Sequence, residues 1–374
     1  MKFEIKKELL LEGFTKVVKV LGGKTSQPIL NGILLEVEED QLIFTGSDAT
    51  ETMRHCIPVI DQSIIVIQPG RIVFPREIVD ITKKLNKKLT FSTSDFVVQI
   101  YSGKSHFELN CLDAAQYPIF PALSLTTPSV VLKGTEFSDC IKKTTFNASD
   151  SPSRPILQGV NVQLKKDCTE LVCTDSHRLG RVLIPHENEH ELSIVVPAKL
   201  LDKSSKAFDL ELDIEIFVHE QNLMIKNGQT VYLTRLLDGK YPDTSRLIPT
   251  TSKSKMVVSR KELLDGLELV KEIANSADGN ANGTIKIEVK NEVSISSFQA
   301  QRGKGKVDVA YDSIEGDGEF TLSCSARYVI DALKAMETEY ITFHFNGSAS
   351  PFLLYPADEG KIKELQLVLP VRTA

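Results

Sequence analysis

The residue types that could do covalent chemistry come together at one place in the chain, Asp175-Ser176-His177. An acid, a hydroxyl and an imidazole make up the hydrolytic triad, where the acid orients the imidazole and the imidazole deprotonates the hydroxyl. Consecutive residues do not reach that geometry, because neighbours on a strand or tight turn point apart and a triad draws its members from distant segments. No G-x-S-x-G segment occurs. Arg302-Gly303-Lys304-Gly305-Lys306 has the composition of a phosphate cradle. The G-x-x-x-x-G-K-[ST] sequence is missing, however, and a basic loop between strands accounts for the stretch. His186 and His190 stand among Glu187, Glu189 and Glu191, where metal affinity would be weak. Cys56, Cys111, Cys140, Cys168, Cys173 and Cys324 include no C-x-x-C pair and none at metal-ligand spacing from a histidine. They read as small, reduced, apolar residues. Asn282-Gly283-Thr284 fits the glycosylation pattern, which matters only for a secreted chain. The expectation is a protein with no catalytic site, no cofactor and no metal.

Binding chemistry remains. A net charge of −6 over 374 residues argues, taken alone, against nucleic acid. The cations are unevenly spread, however. Lys24, Arg76, Lys83, Lys84, Lys87, Lys88, Lys142, Lys143, Lys199, Lys203 and Lys206 are loosely spaced, with no aromatic residues between them. That suits contact with phosphates rather than base reading or stacking. Most fall on segments whose apolar spacing of three and four predicts helices: 7–20, 75–88, 135–147, 198–206, 259–275 and 325–338. Together these hold 18 Lys/Arg and 13 Asp/Glu, a net +5, leaving −11 on the rest of the chain. The third part of the chain is the weak case, since its first helix carries three cations and four acids. The plain alternative is that these are ordinary solvated helix faces.

The elements that must position these residues repeat about every 126 residues. Glu8, Glu136 and Glu262 open three similar helix patterns. Pro28-Ile29-Leu30-Asn31-Gly32 matches Pro155-Ile156-Leu157-Gln158-Gly159, and both lead into alternating strand patterns; Ile285, Ile287 and Val289 alternate in the third copy. Ser47-Asp48 corresponds to Thr174-Asp175. Second helices follow Pro75, Pro197 and Ser325, a proline being well placed at a helix start. Alternating strands end each copy, and Pro, Ser and Thr cluster near 120–128 and 246–254. The reading is an α+β chain of three tandem domains, 1–125, 126–250 and 251–374, each with two helices packed on antiparallel sheets. Hydrophobic residues make up 41% and charged residues 25%, the mix of a soluble globular protein. No run of 18 apolar residues and no apolar leader core is present, so no membrane association and a cytoplasmic location are expected.

Several motifs are specific in combination: Met1-Lys2-Phe3, the two Pro-Ile-Leu-x-Gly segments, Thr45-Gly46-Ser47-Asp48, Cys173-Thr174-Asp175-Ser176-His177-Arg178-Leu179, Arg235-Leu236-Leu237-Asp238-Gly239-Lys240-Tyr241-Pro242-Asp243, and Leu367-Val368-Leu369-Pro370-Val371-Arg372. With them the whole chain resembles the beta subunit of bacterial DNA polymerase III, the sliding clamps, most of all those of low-GC Gram-positive bacteria. The resemblance implies three copies of the DNA clamp fold. It also implies a homodimer joined head to tail as a ring of six domains around duplex DNA, with the helices lining the hole. The role implied is that of a processivity factor, a non-catalytic subunit that tethers the polymerase. The partners implied are the polymerase III alpha subunit, the clamp loader, repair polymerases, ligase and mismatch-repair proteins, bound through short peptide motifs. The resemblance places the peptide pocket at Arg154, Ile156, Thr174, His177, Arg178, Leu179, Pro242, Leu247, Leu367, Leu369, Val371 and Arg372. The final strand fits this, carrying Leu367, Leu369 and Val371 on one face. Some family members have aromatic or Met residues where this chain has Ile156, Leu367 and Leu369, which bears on partner preference. The dimer contacts implied are Phe107 and Leu109 against Glu272 and Ile273, the first two alternating on an edge strand. The alternatives are a divergent second clamp copy dedicated to repair or to a mobile element, and a three-repeat protein scaffold that does not bind DNA.

Overall fold

The same order of elements is laid down three times, with one strand fewer between the helices of the second repeat. In the first repeat, β1 (Lys2–Lys6) runs directly into α1 (Lys7–Val17). Then come β2 (Gly32–Val37), β3 (Gln41–Ser47), β4 (Glu51–Pro58), β5 (Ile64–Gln68), β6 (Gly70–Pro75), α2 (Ile78–Lys84), β7 (Lys88–Ser94), β8 (Val97–Ser102) and β9 (Ser105–Asn110). The second repeat comprises β10 (Val130–Lys133), α3 (Gly134–Thr144), β11 (Gly159–Lys165), β12 (Cys168–Thr174), β13 (Arg178–Pro185), β14 (Leu192–Pro197), α4 (Ala198–Ser205), β15 (Asp213–His219), β16 (Asn222–Asn227) and β17 (Thr230–Arg235). The third comprises β18 (Ser254–Ser259), α5 (Arg260–Ala274), β19 (Thr284–Val289), β20 (Val293–Gln299), β21 (Gly303–Val309), β22 (Ser313–Gly316), β23 (Phe320–Ser325), α6 (Ala326–Ala335), β24 (Tyr340–Phe345), β25 (Phe352–Pro356) and β26 (Lys363–Val368). This computed structural model describes residues 1–22, 27–119, 127–274, 283–299, 303–358 and 360–371. Among the described residues no helix is long and apolar enough to cross a membrane.

The prolines act differently from the sequence expectation. Pro28–Asn31 and Pro155–Gln158 are 3-10 turns that feed β2 and β11. Pro75 and Pro197 end β6 and β14, paired with Gly32 and Gly159, and do not start helices. A proline at a strand end removes no interior ladder bond, which is why it sits there. The first-repeat helix therefore begins at Ile78 and spans 7 residues, leaving Arg76 in the turn before it, Lys87 after it, and Lys88 on β7.

The chain divides into two compact units, residues 1–138 with 200–236, and residues 139–199 with 237–374. The first holds sheets ordered β5-β1-β7-β8-β9 and β10-β15-β16-β17-β4-β3-β2-β6. The second holds β14-β11-β12-β13-β26-β25-β24-β18-β22 and β21-β20-β19-β23. All pairings are antiparallel, and each of the two long sheets crosses from one repeat into the next. The crossing in the first unit is β4 against β17, with Glu51 opposite Thr234. In the second it is β13 against β26, with Arg178 opposite Val368.

Helix faces pack on these sheets through aliphatic and aromatic side chains. In the first unit Phe14 lies edge-on to Phe44 and Phe74, with centroids 5.2 and 5.6 Å away. The helix sits so close that a Cβ on Gly13 would come within 2.5 Å of the Phe44 ring. In the second unit Leu263, Leu267 and Val270 of α5 and Val329, Ile330 and Leu333 of α6 share one buried cluster with β19, β20 and β24. Each such side chain contributes about 1.5–3 kcal/mol by leaving water.

Candidate functional site

The Thr-Asp-Ser-His-Arg segment is a tight turn between β12 and β13, built by its own side chains. Thr174 Oγ1 donates to the Arg178 carbonyl (2.6 Å) and accepts from Ser176 N (3.1 Å). Asp175 Oδ1 accepts from His177 N (2.8 Å) and Arg178 N (3.0 Å). Ser176 takes the left-handed conformation, φ +79°, which a short polar residue tolerates when the turn over-determines it. Its Oγ accepts from Arg154 Nη1 at 3.2 Å. The acid is thus a backbone cap and the hydroxyl faces an arginine, so these three residues form no triad. The same turn occurs at Ser47–Glu51, where Ala49 has φ +76° and Asp48 Oδ1 caps Thr50 N and Glu51 N at 2.9 Å each.

The turn stands beside an apolar cluster in the second unit. Leu157, Leu179, Tyr241 and Leu367 are buried in one cluster, with Ile156 packed against it half-buried. Tyr241 Oη accepts from Thr174 N at 3.0 Å, fixing the Tyr-Pro segment beneath the turn and placing Pro242 at the surface. Leu369 N donates to the His177 carbonyl at 2.9 Å, carrying the chain past β26 and along the turn. Exposed apolar groups follow in the chain from this cluster: Leu247, beside Ile248, is 53% exposed, and Leu369 and Val371, beyond Leu367, are 36% and 38% exposed. Arg154 and His177 are the exposed polar groups beside them. Arg372 lies outside the described residues.

Two features depart from the sequence expectation. Leu367, Leu369 and Val371 are not equivalent. β26 is an interior strand with both faces covered, so Leu367 is buried while Leu369 and Val371, past the strand's end, are exposed. Arg178 is only 6% exposed and belongs to the support. Its guanidinium reaches Asp175 Oδ2 (3.0 Å) and Asp331 Oδ2 (2.7 Å) and stacks over Tyr328, 4.6 Å from the ring centre. Leu157, Tyr241, Leu365 and Ile248 also belong to the cluster and were not among the expected site residues, though Leu157, Tyr241 and Ile248 adjoin the expected Ile156, Pro242 and Leu247. Along the same face lies a cavity of 490 Å³ lined by Leu183, Ile248, His344, Tyr355 and Leu365. Burial, and to a smaller extent Lys255, lowers the His344 pKa.

The basic set separates into several environments. Arg76, Lys84 and Lys87 are exposed, as are Lys83, which pairs with Asp80 (2.8 Å), and Lys88, which pairs with Glu4 (2.6 Å). Lys142 pairs with Glu337, Lys199 with Asp150 (2.6 Å) and Lys206 with Asp202 (2.8 Å), all at the surface. Such pairs are weak and leave the ammonium available. Lys203 is half-buried against Glu51 (2.9 Å). Lys143 is buried, held between Asp139 (2.7 Å) and Glu364 (2.5 Å). Its two carboxylates raise its pKa against the opposing effect of burial, so it is a structural cation and not an exposed one. Lys24 lies outside the described residues.

Phe107 and Leu109 lie two residues apart on β9, the edge of its sheet, and Phe107 is 41% exposed. In the other unit Glu272 and Ile273 lie on α5. Ile273 covers Gly305 of β21, itself a sheet edge, where a Cβ would come within 3.2 Å of the Ile273 side chain. Leu269, one turn earlier on α5 and not among the expected site residues, is 67% exposed.

Other chemistries find no assembly. None of the six cysteines is in a disulfide, and burial pushes Cys111 and Cys324 up to about 12. Among the described residues no group of His, Cys, Asp and Glu is arranged to hold a metal ion.

Comparison with known proteins gives one consistent result. The families described as DNA polymerase III beta subunit, N-terminal, central and C-terminal domain match residues 1–121, 131–243 and 245–372 in turn. A curated relative from Bacillus subtilis, named beta sliding clamp, is 35% identical over the full length of both chains. One of the same name from Staphylococcus epidermidis is 34% identical, again over both full lengths. The crystal structure of the Bacillus subtilis DNA polymerase sliding clamp superposes with a TM-score of 0.91 over both full chains, at 33% identity.

Proposed function

The chain belongs to the DNA polymerase III beta subunit family and is a processivity factor of the sliding-clamp kind, and from that premise we propose that two copies join head to tail into a closed ring of six domains around duplex DNA. One observation carries this reading. The joint between successive repeats is made twice inside the chain, β4 with β17 and β13 with β26, and each repeat supplies one strand of each kind. The first repeat's β9 corresponds to β17 and β26, and the third repeat's β21 corresponds to β4 and β13. Both lie at sheet edges. A β9 edge meeting the β21 edge of a second copy would make the same joint a third time. Phe107 is the third residue of β9, as Tyr232 is of β17, and Tyr232 is fully buried in its joint. Phe107 and Leu109 would then be covered by Leu269 and Ile273 of the other copy.

The domains are 1–125, 126–250 and 251–374. The exposed members of the basic set (Arg76, Lys83, Lys84, Lys87, Lys88, Lys142, Lys199 and Lys206) face the phosphates, with Lys24 added from the sequence pattern. Long flexible cations, loosely spaced, hold the backbone without reading bases and so permit sliding. A depression over Leu179 and Leu367, with its lip of Leu247, Leu369 and Val371, takes apolar anchors of a short peptide, while Arg154 and His177 orient the chain. Through it the clamp holds the polymerase III alpha subunit, the clamp loader and repair proteins in turn. The subunit is non-catalytic and cytoplasmic, and ring opening is the work of an ATP-driven loader.

The test is mass in solution together with retention on nicked circular DNA, loaded with clamp loader and ATP. A dimer near twice 41.5 kDa that stays on circles and leaves after linearisation is the expected result. Phe107→Asp should give a monomer that is not retained. A monomeric unsubstituted chain with no preference for circles would overturn the ring.

A further inference from the structure

The two joints inside the chain use the same positions with opposite charge. The first residue of β4 is Glu51 and the first residue of β13 is Arg178. Both follow the same Asp-capped turn, and both are buried, 1% and 6% exposed. Each meets a residue of the following repeat's second helix. Glu51 meets Lys203 (2.9 Å) and takes a hydrogen bond from Tyr232 Oη (2.8 Å). Arg178 meets Asp331 (2.7 Å). Lys203 and Asp331 are equivalent, each the sixth residue past the strand end at Pro197 or Ser325. A second position does not invert: it is lysine in both joints, with a neutral acceptor in the first and an acid in the second. The tenth residue of the first helix is Lys16 in α1, which donates to Thr230 of β17 (3.3 Å), and Lys143 in α3, which meets Glu364 of β26 (2.5 Å). The corresponding positions of the third joint carry no charge: Gly303 at the start of β21, Leu269 as the tenth residue of α5, and Ile81 six past Pro75.

We infer that charge polarity makes the three joints mutually exclusive, so that this surface accepts a second copy of the same chain only through the β9 and β21 edges. At the strand-start and second-helix positions, the first joint is acid on strand with base on helix, the second is base on strand with acid on helix, and the third is uncharged. The third rests on the head-to-tail reading. If β4 met the third repeat, Glu51 would face Asp331 in a buried setting. If β13 met the helix of its own repeat, Arg178 would face Lys203. If β4 met β9, buried Glu51 would be left without a cation, and if β13 met β9, Arg178 would lose Asp331 and keep only Asp175 of its own turn. Each wrong pairing is disfavoured because like or unpartnered charges out of water are far costlier than the matched pair, and partner choice is set as much by such repulsion as by attraction. Identical backbone joints in one chain would otherwise permit exchange between copies and open-ended assembly.

The test is refolding of the full chain from urea at micromolar concentration, followed by light scattering. Three chains are compared: the unsubstituted one, Glu51→Arg with Lys203→Asp, and that pair combined with Arg178→Glu and Asp331→Lys. The double substitution gives the first joint the polarity of the second, and the fourfold one reverses both and keeps them distinct. The unsubstituted and fourfold chains should each return one mass, while the double one spreads over larger masses. A double variant that returns the single mass of the unsubstituted chain overturns the inference. So does a fourfold variant that spreads as widely as the double, because local damage would then suffice. If the unsubstituted chain refolds as a monomer, the head-to-tail reading fails, and the contrast between double and fourfold variants still decides the code at the two intrachain joints.

Discussion

Replacing both Leu247 and Leu369 with alanine should weaken peptide binding without weakening the fold. Fully burying a leucine is worth about 1.5–3 kcal/mol. Leu247 is 53% exposed and Leu369 36%, so about a third to a half of each side chain remains for a ligand to cover, about 1 kcal/mol apiece. Together the loss is about 2 kcal/mol, roughly 30-fold in Kd. Surface truncations of this kind change stability by about 0.5 kcal/mol at most. Leu367→Ala is the contrast. That side chain is 4% exposed within the buried cluster, and the cavity should cost about 2–5 kcal/mol of stability, read as a lowered urea midpoint. Binding is measured by fluorescence anisotropy with labelled peptides tiled along the polymerase alpha subunit, keeping the tightest. A double-alanine chain with unchanged Kd and unchanged urea midpoint would refute the assignment of the lip.

Lys143→Met should lower stability by about 3–5 kcal/mol by stranding buried Glu364, whereas Lys142→Ala at the surface should change it by no more than about 0.5 kcal/mol; urea midpoints separate the two. His55, buried and beside Lys16, has its pKa lowered to about 4. Its Nδ1 lies 3.0 Å from Thr230 Oγ1 and its Nε2 3.5 Å from Glu12. Between pH 4 and the ordinary value of 6.5 the unfolded chain binds more protons, so stability is fully present above about 6.5 and falls towards pH 4, by about 3 kcal/mol in all. His55→Gln should flatten that part of the urea-midpoint profile, and an unchanged slope would discard the mechanism. Arg76→Ala, Lys84→Ala and Lys87→Ala combined should make the slope of log affinity for DNA against log salt shallower by up to about 3; titration between about 50 and 200 mM salt reads it.

The repeat was legible because it rests on periodicity, which one chain displays without help: helices at 3.6 and strands at 2, restated every 126 residues or so. The Asp-capped turn was legible too, though its residue types also suggested a triad. The structure resolves this through the φ of Ser176 and the two amide hydrogens on Asp175 Oδ1. The split of Leu367 from Leu369 was hidden, because alternation along a terminal strand does not say whether a neighbour covers it. β13 on one side and β25 on the other place β26 inside a sheet. Pro75 misled for a related reason: fixed φ and a missing N–H suit a strand end as well as a helix start.

Net charge was the hardest quantity to interpret from sequence, and the structure gives the reason. A sum treats every acid alike, yet Glu51, Glu170 and Glu364 are buried and each has a cation of its own. Burial raises the pKa of Glu51 and Glu364, and nearby lysines oppose the shift. These acids hold joints and sheets together, and their partners Lys203, Arg181 and Lys143 are correspondingly withdrawn from any long-range field. In the proposed ring, phosphate attraction would therefore be set by the cations left at the surface, such as Arg76, Lys84 and Lys87 at the two ends of α2, all exposed. An acidic total and a DNA-facing role are compatible because most of the attraction to a polyanion comes from charges within a Debye length, about 8–10 Å at physiological salt. The prediction on salt slope follows from this sorting: substituting buried Lys143 should leave the slope unchanged where the chain still folds, although a count of lysines would treat it as equal to Lys84.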